Sequence, residues 1–334
     1  MSKALITGGI GFIGYHLSRH LLAEGGEVHA LDNCSRGALD ADVAQLRVHP
    51  RYKLIFSDLR DDGCLSGLDE DYTEIYHLAA IVGVCNVVAK PYAVLRNNVD
   101  LLTRILELAK RQSRLRRLIF ASTSEVYAGT LQYFDMQIPT PESTPLTLTD
   151  LRQPRTSYML SKIYGEALCH WSGAPFTIVR PHNVYGPRMG EAHVIPELLR
   201  RASQTPPGGS IVVFSPEHKR TFCYIDDAVE LMFRLARSAA AVNGTFNIGS
   251  TCPEISIASL AELVLEVVGK GQAVVRGPEI EGSPSRRCPD MRQAIAATRY
   301  AASFPLPEGV RHTYHWYRAN VFEEPSRQHR AEPT

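Results

Sequence analysis

Tyr158 and Lys162 stand four residues apart in a stretch patterned as a helix, so the two side chains share one face and the ammonium can lie near the phenol. A phenol ionises near pH ~10, and a neighbouring ammonium together with a cationic ring would lower that towards the range where a phenolate removes a hydroxyl proton. The spacing alone is weak evidence in a chain with 14 tyrosines, so the surrounding sequence decides its weight. Ser122-Thr123-Ser124-Glu125-Val126-Tyr127 follows the apolar run Arg117–Ala121. That order puts hydroxyls and a carboxylate at the carboxyl end of a predicted strand, where ligands of parallel sheets bind. A polar strand end capping the next turn is the ordinary alternative for the same cluster.

A second constellation lies at the amino terminus, Thr7-Gly8-Gly9-Ile10-Gly11-Phe12-Ile13-Gly14, between a predicted strand and a predicted helix. Glycines there allow a tight turn and bring backbone N–H groups at a helix start against a pyrophosphate. Asp32 ends the second strand, 18 residues beyond Gly14. A carboxylate at that point accepts both ribose hydroxyls and repels a 2′-phosphate, which favours NAD over NADP, while Arg36 four residues later keeps NADP open. Asp58-Leu59, after the third strand, are placed to cap the adenine edge.

These residues need a frame, and the first half of the chain supplies one by alternating short apolar runs with amphipathic stretches. Strands are predicted at Lys3–Thr7, Glu27–Leu31, Lys53–Phe56, Glu74–Leu78, Arg117–Ala121 and Phe176–Val179, and helices at Phe12–Ala23, around Val94–Arg111, and about Tyr158–Trp171. The reading is an α/β Rossmann-type doubly wound parallel sheet with a smaller α/β substrate-binding lobe, the lobe including a helical pattern at Ser259–Val268. Residues 1–180, with 220–250 returning to them, are expected to form the NAD-binding domain, and 181–219 with 251–318 the lobe. The Pro- and Thr-rich run Gly129–Ser157 reads as a long loop or lid, and 323–334 as a flexible tail.

Composition narrows the classes. At 334 residues with 44% hydrophobic side chains the chain can bury a large core, and 36 basic against 35 acidic residues give no general attraction to nucleic acid or to an anionic membrane. Seven scattered cysteines contain no C-x-x-C pair, which reads as reduced thiols, and with no secretory or membrane-spanning segment the expected compartment is cytoplasmic. The pairs His16 with His20 and His312 with His315 lack a third ligand, so no metal is expected, and no Gly-x-Ser-x-Gly elbow suggests a hydrolase.

Taken together the chain resembles the extended short-chain dehydrogenase/reductase family, in particular its nucleotide-sugar epimerases, dehydratases and decarboxylases. The resemblance is carried by Thr7–Gly14, Asp32, Asp58-Leu59, His77-Leu78-Ala79-Ala80, Asn98, Ser122–Tyr127, Tyr158–Lys162, Arg180-Pro181-His182-Asn183, Tyr224-Ile225-Asp226-Asp227, Asn247-Ile248-Gly249 and Arg286-Arg287-Cys288-Pro289-Asp290, which run in the family's order. It implies that NAD is held by Gly8, Gly11, Phe12, Ile13, Gly14, Asp32, Asn33, Asp58, Leu59, Leu78, Ala79, Ala80, Asn98, Tyr158 and Lys162. It further implies that Thr123 hydrogen-bonds a sugar 4-hydroxyl, Tyr158 removes its proton and Lys162 holds the nicotinamide ribose. Asn86, Thr123, Ser124, Asn183, Arg220 and Arg287 become the candidate contacts to a nucleotide-diphosphate sugar, UDP first among them, and a homodimer is implied as well.

The resemblance implies one shared first step, oxidation at C4, with three outcomes: epimerisation, elimination across C5–C6, or loss of carbon dioxide from a C5 carboxylate. Ser124 stands where the 4,6-dehydratases of deoxythymidine-diphosphate sugars carry an Asp, and Thr-Ser-Glu looks like the run of UDP-glucuronate decarboxylases and GDP-mannose dehydratases. Asp32 favours NAD, and with Glu125 as an acid/base or orienting group beside C5 the leading expectation is a UDP-glucuronate decarboxylase, with a 4-epimerase and a 4,6-dehydratase as alternatives. Two departures stand out: the Gly129–Ser157 run lengthens the stretch between Thr123 and Tyr158, and His182 replaces the usual Phe before Asn183. A non-catalytic dinucleotide sensor is the reading from another class, and the joint presence of Thr123, Tyr158 and Lys162 argues against it.

Overall fold

The computed structural model describes residues 2–280 and 285–323, so the tail expected beyond Glu323 lies outside the described residues. Seven strands, β1 (Lys3–Thr7), β2 (Glu27–Asp32), β3 (Tyr52–Phe56), β4 (Glu74–His77), β5 (Arg117–Ala121), β6 (Phe176–Pro181) and β7 (Gly244–Ile248), form one sheet in the order β7-β6-β5-β4-β1-β2-β3. Every pairing in it is parallel. The strands are continuous apolar runs rather than alternating ones because both faces are covered. Along β1, Leu5 enters one apolar cluster with Ile75, Phe120 and Ile178, while Ala4 and Ile6 enter the other with Leu17, Val229 and Phe246.

Four helices do most of the covering: α1 (Phe12–Ala23), α2 (Pro91–Arg111), α3 (Thr156–Trp171) and α4 (Ile225–Arg237). Each buries a stripe at three- and four-residue spacing, such as Leu17, Ser18, Leu21 and Leu22 on α1. The helices α2 and α3 lie against each other, and α3 sits tight on the sheet at Gly165, where a Cβ would come 2.6 Å from the Phe120 ring. The strand order reverses between β1 and β4, and that opens the crevice in which ligands of doubly wound sheets bind.

Beyond the sheet, Lys219–Arg220 pairs with Ile255–Ser256 on one side and, in parallel, with Arg286–Arg287 on the other, so Arg220 and Arg287 are side by side in register. The strands Ser210–Val213 and Ala273–Arg276 form a separate parallel pair, and Val184–Tyr185 pairs with Cys223–Tyr224.

From Phe134 to Arg155 the run Gly129–Ser157 is the long loop expected, but it is packed on the rest of the chain. Ala128–Tyr133 is helical, Thr130, Thr140 and Thr156 are buried, and Thr140 forms a bridge with Pro289 through Thr140 N–H to the Cys288 carbonyl (2.8 Å) and Asp290 N–H to the Thr140 carbonyl (2.9 Å). The Glu142 carboxylate accepts the N–H of Asn247 on β7 at 2.8 Å. Proline and threonine give no hydrophobic period, so composition hides a segment whose backbone groups find their partners in distant parts of the chain.

Candidate active site

The turn after β1 is fixed by what cannot fit in it. Gly8 has φ +71°, a left-handed value that favours glycine, and its N–H donates to the Leu31 carbonyl at 2.8 Å. A Cβ on Gly14 would lie 2.1 Å from the Gly8 carbonyl oxygen and one on Gly9 would lie 2.5 Å from the Ala30 Cβ. Gly11 differs: its Cβ would meet only the Gly8 oxygen, at 3.2 Å, so the remaining side of the turn is open. The helix α1 begins there with no side-chain cap and no acidic residue in its first turn, leaving the N–H groups around Phe12, Ile13 and Gly14 for an anion. This cradle fits a dinucleotide pyrophosphate.

At the adenosine end, both oxygens of Asp32 are engaged by the turn, one accepting the Ile10 N–H at 3.2 Å and the other the Cys34 N–H at 2.8 Å. Burial pushes this carboxyl up from its ordinary value, against the pull of those N–H groups. The Asn33 amide donates to Asp58 at 2.8 Å, and Asp58 pairs with Arg60, whose guanidinium holds the carboxyl well below the usual range. Leu59 is buried in the apolar cluster beside Leu5 and Leu31, so it supports this edge from beneath.

On the other side of the crevice, the Leu78 N–H donates to the Thr7 carbonyl and the Ala79 N–H to the Thr7 hydroxyl, which draws Leu78, Ala79 and Ala80 to the glycine turn; the Gly8 Cβ position is 3.0 Å from the Ala79 nitrogen. Asn98 is a brace: its carbonyl oxygen accepts the Ile81 N–H at 2.7 Å, and its amide donates to the Ile81 carbonyl and to the Ser161 hydroxyl. Asn86 is exposed on the short helix Val84–Ala89 and donates to the Val82 carbonyl.

Thr123, Tyr158 and Lys162 meet where β5 ends. Thr123 caps a single helical turn, Ser124–Tyr127, by accepting the Glu125 N–H at 3.2 Å. Burial pushes the Tyr158 phenol up to about 12, with the Thr123 hydroxyl pulling the other way. Lys162 is buried and donates to the Ala121 carbonyl at 2.7 Å, with its ammonium 5.8 Å from the centre of the Tyr158 ring. Burial brings that ammonium down to about 8. The expected closeness of ammonium and phenol is therefore a charge over the ring face, not a bond to the hydroxyl.

Glu125 points at the small sheet and pairs with Arg287 at 2.8 Å. Burial would raise its carboxyl, but Arg287, then Arg155 and Arg220, outweigh burial and hold it below the usual carboxylate range. Arg220, which also donates to the Lys219 carbonyl, is brought down to about 10 by burial and by the like charge of Arg287. Three guanidiniums thus act on one carboxylate. Asn183 has φ +42° and donates to the Thr221 carbonyl at 2.9 Å, so its amide ties together the segments leading to Arg220. Ser124 is half-buried beside them.

Sequence reasoning did not single out Arg155, although it precedes Tyr158 by three residues at the start of α3 and so shares its face. Nor did it find the buried network behind the site. Glu166 takes the Ser122 hydroxyl at 2.5 Å and both sides of Arg180; Arg180 donates to the Tyr127 hydroxyl at 2.7 Å, which donates to Asn247 at 3.1 Å. His182 joins the same Asn247 oxygen at 3.0 Å and is held neutral, its pKa lowered to about 4 by burial. It is a structural histidine.

The profile of the NAD dependent epimerase/dehydratase family matches residues 4–249. The UDP-glucuronic acid decarboxylase 1 of Xenopus tropicalis is 30% identical over 338 residues, covering 99% of this chain and 76% of that protein. The UDP-N-acetyl-alpha-D-glucosaminuronate decarboxylase of Bacillus cytotoxicus is 31% identical over 331 residues, covering 95% and 98%. Among solved structures, a UDP-glucose 4-epimerase of Thermotoga maritima with UDP-glucose superposes with a TM-score of 0.80 at 25% identity, over 95% of this chain and 99% of the other. A UDP-glucuronic acid 4-epimerase of Bacillus cereus, in complex with UDP-glucuronic acid and NAD, gives 0.76 at 25% identity over the same shares. A match of this extent, on a crevice shaped for a dinucleotide, makes the chain an enzyme of the NAD-dependent epimerase/dehydratase family, the nucleotide-sugar branch of the extended short-chain dehydrogenase/reductases, with NAD as its cofactor.

Proposed function

We propose that the enzyme is a UDP-glucuronate decarboxylase. The observation that carries this is the ion pair of Glu125, two residues after Thr123, with Arg287 at 2.8 Å, Arg220 lying beside Arg287 in register. Guanidiniums at that point suit an anionic sugar, and both relatives named above are decarboxylases of hexuronates.

NAD, held by the glycine cradle and Asp32, supplies the hydride acceptor and later the donor. Thr123 hydrogen-bonds the sugar 4-hydroxyl and Tyr158 takes its proton as hydride leaves C4. Lys162 holds the nicotinamide ribose, and its positive charge over the Tyr158 ring favours the phenolate. The 4-keto sugar is a β-keto acid: the bond from C5 to the carboxylate breaks, its electron pair flows into the C4 carbonyl, and carbon dioxide departs. Arg287 and Arg220 orient the carboxylate, and the ionised Glu125 orients the water whose proton goes to C5. Tyr158 would then return its proton to the C4 oxygen as C4 regains a hydride, which gives the UDP-pentose.

The same reading takes residues 1–180 with 220–250 as the cofactor domain and 181–219 with 251–318 as the nucleotide-sugar lobe. It assigns a homodimer built on α2 and α3, whose Tyr92, Tyr164 and Trp171 are exposed, and a cytoplasmic location. Among the described residues no helix is long and apolar enough to cross a membrane.

Incubation with UDP-glucuronate, without reductant, and observation of the anomeric and ring protons by NMR tests the proposal. A UDP-pentose with released carbon dioxide is expected. UDP-galacturonate would make the enzyme a 4-epimerase of the same acid, and an unchanged spectrum would overturn recognition of the carboxylate.

A further inference from the structure

We propose that Arg36 is the side-chain cation that closes on the dinucleotide pyrophosphate, and that it does not read the ribose 2′-position. A pyrophosphate brings two negative charges, and a helix N-terminus offers only about half a positive one. The cradle at α1 therefore needs a cation, and the first turn of α1 contributes none.

The segment after β2 is built to deliver it. Gly37 sits on the glycine turn so closely that a Cβ would lie 2.6 Å from the Ile10 side chain and 2.8 Å from its carbonyl oxygen, which places Arg36 directly beside the cradle. The next residues are pinned: Asp40 and Asp42 both pair with Arg188, Asp42 also accepts the Trp316 indole N–H at 2.8 Å, and Arg188 stacks over Tyr15 at 4.3 Å. Those acids are consumed by Arg188, and no carboxylate pairs with Arg36 among the described residues. The Arg36 guanidinium lies 3.5 Å from the Cβ position of Gly190, and its charge acts on His193 and on the Tyr158 phenol. It is thus directed towards Tyr158 and away from the cluster of Asn33, Asp58 and Arg60 at the adenosine end, already bonded to one another. An arginine so directed answers the pyrophosphate and leaves the exclusion of a 2′-phosphate to Asp32.

The test is calorimetric binding to the full chain freed of dinucleotide. Arg36→Ala should weaken NAD and ADP-ribose alike, by about ten- to a hundredfold as for loss of a charged hydrogen bond, and leave the NAD to NADP affinity ratio as in the parent. Arg36→Lys, which keeps the charge but not the fork, should recover part of the loss. Asp32→Ala should improve NADP binding relative to NAD, and should do so equally in the Arg36→Ala background. Unchanged affinity for NAD and ADP-ribose in Arg36→Ala would overturn the proposal. So would a loss confined to NADP, or disappearance of the Asp32→Ala gain when Arg36 is removed.

Discussion

At the end of β1 the surface offered to a ligand is backbone, shaped by glycines that keep side chains away. Around Glu125 the surface is side chain, drawn from residues 125, 155, 220 and 287 in four separate stretches of the chain. The first region binds a cofactor common to a whole family, and it is specified by what is missing: the Gly14 position admits no methyl group without moving the Gly8 carbonyl. In the proposed function the second tells one sugar from another, and it would do so with long, charged side chains.

The sharpest way to separate the two regions is to remove the group that joins them. Tyr158→Phe should lower kcat by roughly 10³-fold, the scale of a lost general base, while NAD affinity measured by calorimetry stays within a few-fold of the parent. A comparable fall in NAD affinity would mean that the phenol belongs to the cofactor site rather than to the chemistry. The next effect is on the cradle itself. Gly14→Ala should lower the thermal midpoint and cost about 1–3 kcal/mol or more as an overpacked site. Gly11→Ala, on the open side of the turn, should fold with nearly the parent midpoint yet bind NAD markedly less well. If both variants melted alike, the division between a packed and a ligand-facing glycine would be wrong.

The smallest effect concerns pH. His16, His77 and His182 are buried, with pKa values lowered to about 4, 3 and 4 by burial. An unfolded histidine takes up a proton near pH ~6.5, so the unfolded chain binds more protons than the native one below that point. The contribution of these residues is fully present above pH ~6.5 and is lost as the pH falls towards 4. Melting midpoints recorded between pH 6.5 and 4.5 should therefore fall, and His182→Phe should fall less steeply; the Tyr127 hydroxyl still satisfies the Asn247 oxygen in that variant. An identical slope would show that His182 is charged in the native protein.

The same contrast explains what could be read from the residues. Lys3–Thr7, Phe12–Ala23 and Arg117–Ala121 are elements whose apolar spacing, helped in the first two by neighbouring glycines, says where they begin and end, and the structure has them at those bounds. The glycine turn, Asp32 and Thr123 are local in sequence to strand ends, and Tyr158 and Lys162 share one face of α3, which packs on the sheet beside β5. Arg155 and the Glu166–Arg180–Tyr127–Asn247 network were not legible, since nothing local says which distant carboxylate or carbonyl a long polar side chain will meet. The packing of the Gly129–Ser157 loop was hidden for the same reason. Its order comes from partners at Asn247 and at residues 288–290, far along the chain.

The bridge between Thr140 and Pro289 has a consequence for how such an enzyme can be altered. It fastens the run to Pro289, two residues beyond Arg287, so a change of length or shape in that run is expected to reach the guanidinium that pairs with Glu125. A library that randomises 131–139 and 143–154 while retaining Thr140, Glu142 and Arg155 should change sugar turnover more than NAD affinity, and equal changes in both would show that the effect of the run is not confined to the substrate side.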